Sequence, residues 1–135
     1  MFAIKVELQD RAAQTFVFRA QKTMYGGKHI ASGDLIFVLD SENEGGAGLV
    51  ACGIVTSAEA VPRRPGTERQ TPRVSIVVRR TASALRPLGR LELKPHTQWA
   101  DGRPETELNF KFYRQATNKI GGLSDTASDF LKSFF

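Results

Sequence analysis

Two aromatic side chains in polar, glycine-containing segments are the residues of this sequence best suited to hold a ligand. Trp99 is the only tryptophan, and it lies in the loop-forming sequence HTQWADG. Tyr25 directly precedes Gly26 and Gly27, where the backbone can let a ligand approach closely. Rings presented in this way can stack on a nucleic-acid base. Partial burial where a loop meets the core is the alternative for Trp99, and the two interpretations stay open.

Positive charge is concentrated in the middle of the chain, where it could contact phosphate groups. The formal net charge is +5, and residues 62–94 alone contain nine basic and two acidic side chains. Eight of the nine are arginines, whose planar guanidinium groups suit phosphate oxygens. Such a patch is typical of polyanion binders, although a solvated loop and strand face explains it equally well. The arginines are Arg63, Arg64, Arg69, Arg73, Arg79, Arg80, Arg86 and Arg90.

The segment 110–119, FKFYRQATNK, interleaves aromatic and basic residues, a mixture that suits base stacking with phosphate contact. We interpret residues 110–113 as alternating core and solvated positions, which leaves Arg114, Asn118 and Lys119 as the better candidates. Ser41 and Asn118 could hydrogen-bond a base edge. The predicted nucleic-acid-binding residues are Tyr25, Lys28, Ser41, Arg63, Arg64, Arg79, Arg80, Trp99, Arg114, Asn118 and Lys119.

The sequence contains no recognisable catalytic or metal-binding motif. His29 and His96 are isolated on separate loops, and one cysteine with two scattered histidines is a poor set of zinc ligands. Cys52 lies in an apolar strand, where a free cysteine is usually inert. We therefore predict no catalytic residue, no metal and no cofactor.

The elements that must position the candidate residues are mostly strands. Period-two alternation or short apolar runs predict strands over residues 2–8, 15–19, 35–39, 49–61, 74–80 and 108–112. Residues 10–14 are predicted to join the first two strands as a hairpin. Gly53 is predicted to mark a bulge in the fourth strand.

Loops and short helices complete the predicted pattern. The predicted loops cover residues 21–33, 62–72 and 95–105. Residues 82–88 are predicted to form one helical turn, and residues 91–93 a short extended piece. Ser124 is the predicted N-cap of a helix over residues 125–134. The pattern predicts one α+β domain over residues 1–135, mostly β, built as a bent sheet or small barrel.

No segment approaches the ~20 apolar residues that span a bilayer, so we expect no membrane partner. The first ten residues, MFAIKVELQD, alternate and carry two acids, unlike a secretory signal. The single cysteine cannot form an intramolecular disulfide. Together these features favour a cytoplasmic location.

The block of residues 28–60 resembles the centre of a known superfamily. A Gly-Asp pair opens an apolar strand, a polar turn follows, and the returning strand carries a small residue and a glycine before a valine. This layout is similar to that of the PUA-like superfamily, particularly its EVE and ASCH branches, and in outline to the YTH relatives. Residues 110–135 resemble the superfamily's C-terminal strand, loop and helix. The matching positions are Gly33, Asp34, 35–39, Gly48, Cys52, Gly53 and Val55.

The resemblance implies a PUA-like bent-sheet pseudo-barrel with short helices and a C-terminal helix. It also implies recognition of nucleic acid without catalytic residues. In EVE and YTH relatives it further implies a pocket, often aromatic-lined, for a modified base. Those relatives commonly carry a tryptophan before the Gly-Asp strand, where this sequence has Tyr25. The pocket lining that we expect is therefore Tyr25, Ser41 and Trp99.

Three hypotheses about function follow. The leading one is a non-catalytic module that binds nucleic acid, RNA or DNA, through a modified or flipped base in a pocket beside an arginine-rich surface. The second is a protein-interaction or homodimer-forming domain, because a C-terminal apolar cluster could form an exposed patch; its members are Phe130, Leu131, Phe134 and Phe135. The third, implied by ASCH relatives, is a hydrolase, for which Lys28 with Asp34 or Glu42 is the candidate pair.

Overall fold

Strands dominate the part of the chain that the structure describes. The structure is a computed structural model that describes residues 1–42, 46–66, 70–115 and 117–135. Its strands are β1 (Phe2–Val6), β2 (Thr15–Met24), β3 (Leu35–Asp40), β4 (Gly48–Ala60), β5 (Arg73–Ser83) and β6 (Lys119–Gly122). Its α-helices are α1 (Arg90–Leu93), α2 (Pro104–Leu108) and α3 (Asp125–Lys132), with a 3₁₀ turn (Gly27–His29) and a π-helical segment (Asn109–Tyr113). Arg69 of the arginine-rich segment and residues 43–45 of the polar turn lie outside the described residues.

The strands close into a barrel in the order β1-β3-β4-β5-β2-β6. β1 lies parallel to β3, and β2 lies parallel to β6, while the other pairs are antiparallel. The bulge predicted in the fourth strand is confirmed, because the register of β4 shifts between Cys52 and Gly53. A Cβ atom at Gly53 would overlap the carbonyl oxygen of Arg79, so glycine allows β5 to approach closely here.

Alternation along the strands separates two hydrophobic cores. One fills the barrel with side chains such as Ile4, Ile36 and Val78. The other lies between the outer face of the barrel and the helices, and it includes Phe37 and Leu131. Successive residues of a strand point to opposite faces, so a strand such as β3 contributes to both cores. The second core holds the helices that shape the candidate site.

The predicted hairpin between the first two strands is wrong. β1 has β3 and β6 as its neighbours in the barrel, and β2 has β5 and β6. Residues 10–14 lack the Asn-Gly or Asp-Gly turn that favours a tight hairpin. Ala3 and Ile4 lie on opposite faces of β1 and are both buried, which suits a strand covered on both sides.

Two strands are longer than predicted and one was missed. β2 continues to Met24, so residues 21–24 are not a loop, and β5 continues to Ser83, where a helical turn was expected. β6 escaped prediction because its sequence, KIGG, offers a single strongly apolar side chain.

Residues 91–93 and 108–112 are helical rather than extended. α1 begins after Gly89, whose N–H donates to the Glu92 carboxylate at 2.9 Å. α2 begins at Pro104, because proline suits the first helical position. Further along, the N–H of Arg114 donates to the carbonyl of Asn109 at 2.8 Å, five residues back, which widens the helix into the π segment. No helix within the described residues has the length and apolar character needed to cross a membrane.

The predicted C-terminal helix and its cap are confirmed. The Ser124 hydroxyl accepts a hydrogen bond from the N–H of Ala127 at 3.1 Å. Leu131 and Phe134 are buried in the outer core, and Phe130 and Phe135 are half-buried against it. The exposed apolar patch expected for the homodimer hypothesis is therefore absent at these four residues, because they pack inside the same molecule.

Candidate functional site

A cavity of about 760 Å³ opens between the Tyr25 turn, the Trp99 loop, α2, the π segment and the start of α3. Its lining combines aromatic rings, cations, hydroxyl groups and one carboxylate. The lining residues are Tyr25, Trp99, Gly102, Arg103, Thr106, Glu107, Phe110, Lys111, Arg114, Gln115, Ser124 and Thr126. A volume of this size lies within the usual range of small-ligand pockets.

One helical face supplies half of that lining. The positions 103, 106, 107, 110, 111 and 114 recur every three or four residues, which places them on one side of α2 and of the π segment that continues it. Leu108 and Phe112 occupy the opposite side and are buried in the outer core. The apolar side therefore fixes the helix against the barrel and leaves the polar and aromatic side facing the cavity.

Tyr25 is held at the cavity by a strained turn. Its φ of 55° and the φ of 79° at Gly26 are both in the left-handed region, which a tyrosine adopts at a cost of about 1–2 kcal/mol. The Tyr25 carbonyl accepts a hydrogen bond from the N–H of Gly122 at 3.1 Å. The ring lies close to Gly121, where a Cβ atom would be 3.6 Å from Cδ2 of the tyrosine. The side chain remains 43% exposed.

Replacing Gly122 with alanine is expected to disturb this turn. The new Cβ atom would overlap the Tyr25 carbonyl oxygen, so we expect a loss of about 1–3 kcal/mol in the free energy of unfolding. Urea denaturation measures it. Thr117→Ala, an exposed side chain just before β6, serves as the control and should change stability by less than about 0.5 kcal/mol. Equal stability of Gly122→Ala and the control would contradict the predicted role of Gly122.

Two cations lie against aromatic rings of the cavity. Nζ of Lys111 is 5.2 Å from the centroid of the Tyr25 ring, and the guanidinium of Arg114 is 4.6 Å from that of Phe110. The Lys111 ammonium also donates to the carbonyl of Gly122 at 2.7 Å and to Glu107 at 3.1 Å. These contacts fix the Lys111 charge beside the ring.

Glu107 is the carboxylate of the cavity. It accepts hydrogen bonds from the N–H of Ser124 at 2.9 Å and from the Ser124 hydroxyl. Burial raises the pKa of this carboxyl, but the hydrogen bonds from Ser124 and Lys111 outweigh burial and leave the pKa below its ordinary value. The group is therefore ionised at neutral pH while its side chain is only 21% exposed.

Trp99 occupies the open side of the cavity and is 79% exposed. The alternative that this tryptophan is partly buried at the core is therefore wrong. The Asp101 carboxylate accepts hydrogen bonds from the N–H of Arg103 and from the Thr106 hydroxyl, both at 2.9 Å. The bond from Arg103 is the main cause that lowers the pKa of Asp101. These bonds tie the Trp99 loop to the start of α2.

The structure brings three of the predicted site residues together and places two in a second cavity. Tyr25, Trp99 and Arg114 line the first cavity. Arg63 and Arg64 line a separate cavity of about 550 Å³, whose lining is free of carboxylates among the described residues. The other residues lining it are Ala20, Lys22, Val61, Pro62, Gln70, Thr71, Pro72 and Arg73.

Ser41 and Arg80 do not belong to either cavity. Ser41 is buried, with only 1% of its surface exposed, and lines a third, smaller hollow of about 310 Å³. The guanidinium of Arg80 donates to the Ala13 carbonyl at 2.9 Å and to the Arg11 carbonyl, and lies 5.2 Å from the centroid of the Phe16 ring. Ser41 therefore lies apart from Tyr25 and Trp99, with which it was expected to line one pocket, and the Arg80 guanidinium binds backbone carbonyls instead of lining either cavity.

The predicted contact of Lys119 with nucleic acid is also wrong. It is completely buried on β6, and its ammonium donates to the carbonyls of Gln115 and Thr117 at 3.2 and 3.0 Å. Its cross-strand partner on β1 is Lys5, also buried. An ammonium enclosed in this way cannot contact phosphate groups without opening the fold. Its neighbour Asn118 is half-buried and does not line either of the two larger cavities.

Lys28 and Arg79 are exposed, but neither lines these two cavities.

The carboxylates paired with Lys28 in the hydrolase hypothesis have structural partners. Asp34 accepts from the N–H of Ala31 at 2.8 Å, and Glu42 accepts from the N–H of Arg90 at the same distance. Among the described residues, no group of three or more His, Cys, Asp or Glu side chains is arranged to hold a metal ion.

Sequence reasoning missed Arg103, Glu107, Phe110 and Lys111. The strand predicted over residues 108–112 placed Phe110 in the core. Two signals pointed to a helix instead: Pro104 followed by acidic residues, and the spacing of Glu107 and Lys111 at i and i+4.

Comparison with known proteins supports the fold. No protein-family model matches this sequence, and no curated protein matches it significantly. The DUF55 domain of human thymocyte nuclear protein 1 superposes with a TM-score of 0.64 and is 16% identical, over 98% of this chain and 96% of that chain. Human THYN1 protein in complex with 5-methylcytosine-containing DNA gives a TM-score of 0.65 at 19% identity, over 98% of this chain and 95% of that chain. The mostly β, PUA-like architecture predicted from the sequence is thereby confirmed: the chain has the fold of these human structures.

Proposed function

We propose that this protein is a non-catalytic nucleic-acid-binding module that takes one flipped base, preferably 5-methylcytosine, into the 760 Å³ cavity. One observation carries the proposal. Tyr25 and Trp99 line the same cavity, and they are the two exposed aromatic residues among those that the structure describes. Lys111 and Arg114 line it too, so stacking surfaces and positive charge meet in one place.

The lining of the cavity suits a single flipped base. A base removed from its duplex needs a pocket that encloses its edge and stacks on its faces. Here Tyr25 and Trp99 offer the stacking surfaces, and Phe110 forms part of the wall. The low identity to human THYN1 protein restricts that comparison to the fold, so this chain's own pocket supports a stacked base, and 5-methylcytosine is proposed with the human complex as a precedent. Membership of the EVE branch of the PUA-like superfamily is part of this proposal.

The second cavity is suited to hold the phosphates that flank the flipped base. Lys22, Arg63, Arg64 and Arg73 all line it. Lys22 precedes Tyr25 by three residues, so their Cα atoms lie within roughly 11 Å of each other. In this proposal, the strand whose base enters the first cavity lays its backbone along these cations.

Fluorescence anisotropy with labelled oligonucleotides tests the proposal. The set contains one duplex with a single 5-methylcytosine, the same duplex with cytosine, the methylated single strand, and an RNA of the same sequence. We expect the methylated duplex to bind most tightly and its affinity to fall steeply between about 50 and 200 mM salt. The RNA arm decides between DNA and RNA. Failure of every oligonucleotide to bind at low salt would refute the proposal.

Arg64→Ala is expected to weaken binding of methylated and unmethylated DNA by the same factor. The change removes one phosphate contact without touching the base pocket, so the slope of log K against log salt should become shallower by about 1. Arg19→Ala, an exposed arginine of β2 outside both cavities, is the control and should leave the slope unchanged. A change in methyl preference, or an unchanged slope, would argue against a phosphate contact at Arg64.

A further inference from the structure

The base cavity contains an acceptor and a donor side by side. Oε2 of Glu107 lies 3.1 Å from Nζ of Lys111, and both side chains line the cavity. Glu107 is ionised, for the reasons given above. A carboxylate and an ammonium side by side can recognise a base through hydrogen bonds to its edge.

Glu107 and Lys111 each keep one hydrogen-bonding position that no group of the described residues fills. A carboxylate has about four lone-pair sites, and Glu107 uses three, for the Ser124 N–H, the Ser124 hydroxyl and Lys111. The remaining site is on Oε1, because Oε2 already accepts two bonds. An ammonium has three N–H donors, and Lys111 directs two of them to Glu107 and the Gly122 carbonyl. One acceptor site and one donor are therefore available to a ligand.

We infer that Glu107 and Lys111 select a cytosine-type base by its exocyclic amine, an inference that rests on the proposed function. The amine at C4 of cytosine donates to Oε1 of Glu107, and the neighbouring ring nitrogen N3 accepts from Lys111. Carboxylates are the usual acceptors for this amine in protein–DNA recognition. Thymine in the same orientation presents an oxygen at C4 and an N–H at position 3, so both contacts are reversed.

This assignment separates two bases that stacking cannot tell apart. 5-Methylcytosine and thymine carry the same methyl group at C5 and have almost the same shape, so Tyr25 and Trp99 contact them alike. Their difference lies at position 4 and at N3. The half-buried, ionised carboxylate of Glu107 attracts an amine hydrogen and repels a carbonyl oxygen, and its low exposure limits screening by water.

The test uses the whole protein and duplexes in which the test base lies opposite an abasic site. That arrangement removes the difference in flipping cost between a paired 5-methylcytosine and a mismatched thymine. The test bases are 5-methylcytosine, thymine and N4,N4-dimethyl-5-methylcytosine, which has no amine hydrogen. We expect wild-type protein to bind 5-methylcytosine about 5- to 150-fold more tightly than thymine. The dimethylated base should bind as weakly as thymine.

Glu107→Gln supplies the protein arm of the experiment. The amide donates as well as accepts, so the preference for 5-methylcytosine over thymine should fall below about threefold. Glu105→Gln is the matched control, because Glu105 belongs to the same helix but does not line the cavity, and it should keep the full preference. Thermal denaturation checks that Glu107→Gln folds, and the dimethylated base tests the inference on wild-type protein if it does not.

The outcomes separate the inference from the proposed function. Equal wild-type affinity for 5-methylcytosine and thymine, or tight binding of the dimethylated base, would overturn the role of Glu107 while leaving nucleic-acid binding intact. A folded Glu107→Gln variant with the full preference would also overturn it. Failure of all three duplexes to bind would refute the proposed function, and this inference with it.

Discussion

The double variant Tyr25→Ala/Trp99→Ala is expected to bind 5-methylcytosine DNA at least about 30-fold more weakly than the wild-type protein. Each base–aromatic stacking contact contributes about 1–3 kcal/mol, and two such contacts are lost. Both side chains are exposed, at 43% and 79%, so their removal should cost little stability. Fluorescence anisotropy measures the affinity, and urea denaturation checks the fold.

Two controls distinguish stacking from a general loss of apolar surface. Tyr25→Phe keeps the ring and should retain most of the affinity. Leu91→Ala removes a side chain that is 84% exposed but lies outside the cavity, and it should have no effect. If the double variant binds within about threefold of wild type, the rings do not stack on the ligand.

The stability of the protein is expected to rise between pH 8 and pH 10, whereas a lysine with an unshifted pKa would leave it unchanged. Burial lowers the pKa of Lys119 to about 8, from an ordinary value of 10.5, and the nearby charge of Lys5 acts in the same direction. Between these values the unfolded chain binds more protons than the folded protein, so the free energy of unfolding increases with pH. The gain should be on the order of 1–3 kcal/mol, measured by urea denaturation at each pH.

Two other buried groups, Lys5 and Tyr113, also affect how the free energy of unfolding changes with pH. Burial also lowers the pKa of Lys5, which adds to the rise. Burial and the neighbouring Glu42 raise the pKa of Tyr113, so stability should stop rising above about pH 10, where tyrosines of the unfolded chain ionise. Lys119→Met should flatten the rise, whereas Lys132→Met, at a lysine 46% exposed on α3, should preserve it. A wild-type profile that is flat or falls between pH 8 and pH 10 would show that Lys119 stays fully protonated in the folded protein.

The sequence predicted the barrel well where side-chain alternation was strong. β3 and β4 were placed within about one residue of their observed ends, because their apolar side chains fill the two cores. Strand pairing was not predictable in the same way. The pairing of β1 with β3 and β6 depends on contacts far apart in the chain, and these leave no local signal in residues 2–14.

The candidate site was predicted in part for a similar reason. Tyr25 and Trp99 could be recognised individually, since each is an aromatic residue in a polar, glycine-containing segment. The cavity residues Phe110 and Lys111 come from a helical segment that was predicted as a strand. Leu108, Phe110 and Phe112 fit a period of two, but Leu108 and Phe112 also fit a helical spacing of four, and only tertiary packing decides between the two.

The arginine-rich segment shows how composition can mislead. Its arginines look alike in the sequence, yet Arg64 lines a cavity while Arg80 caps backbone carbonyls. The difference is set by which strand lies beside each residue, and that depends on the closed barrel.

The closure of the barrel has a consequence for how the chain reaches its native state. The Lys5 ammonium bonds to the carbonyl of Phe112, 107 residues away, and β1 completes its pairing only with β6. A ribosome-bound chain that lacks β6 therefore keeps the unpaired backbone of β1 open to other strands. With so many distant pairings, refolding should take milliseconds to seconds rather than microseconds. During that interval the half-built sheet, and not the finished domain, is the species most prone to aggregate.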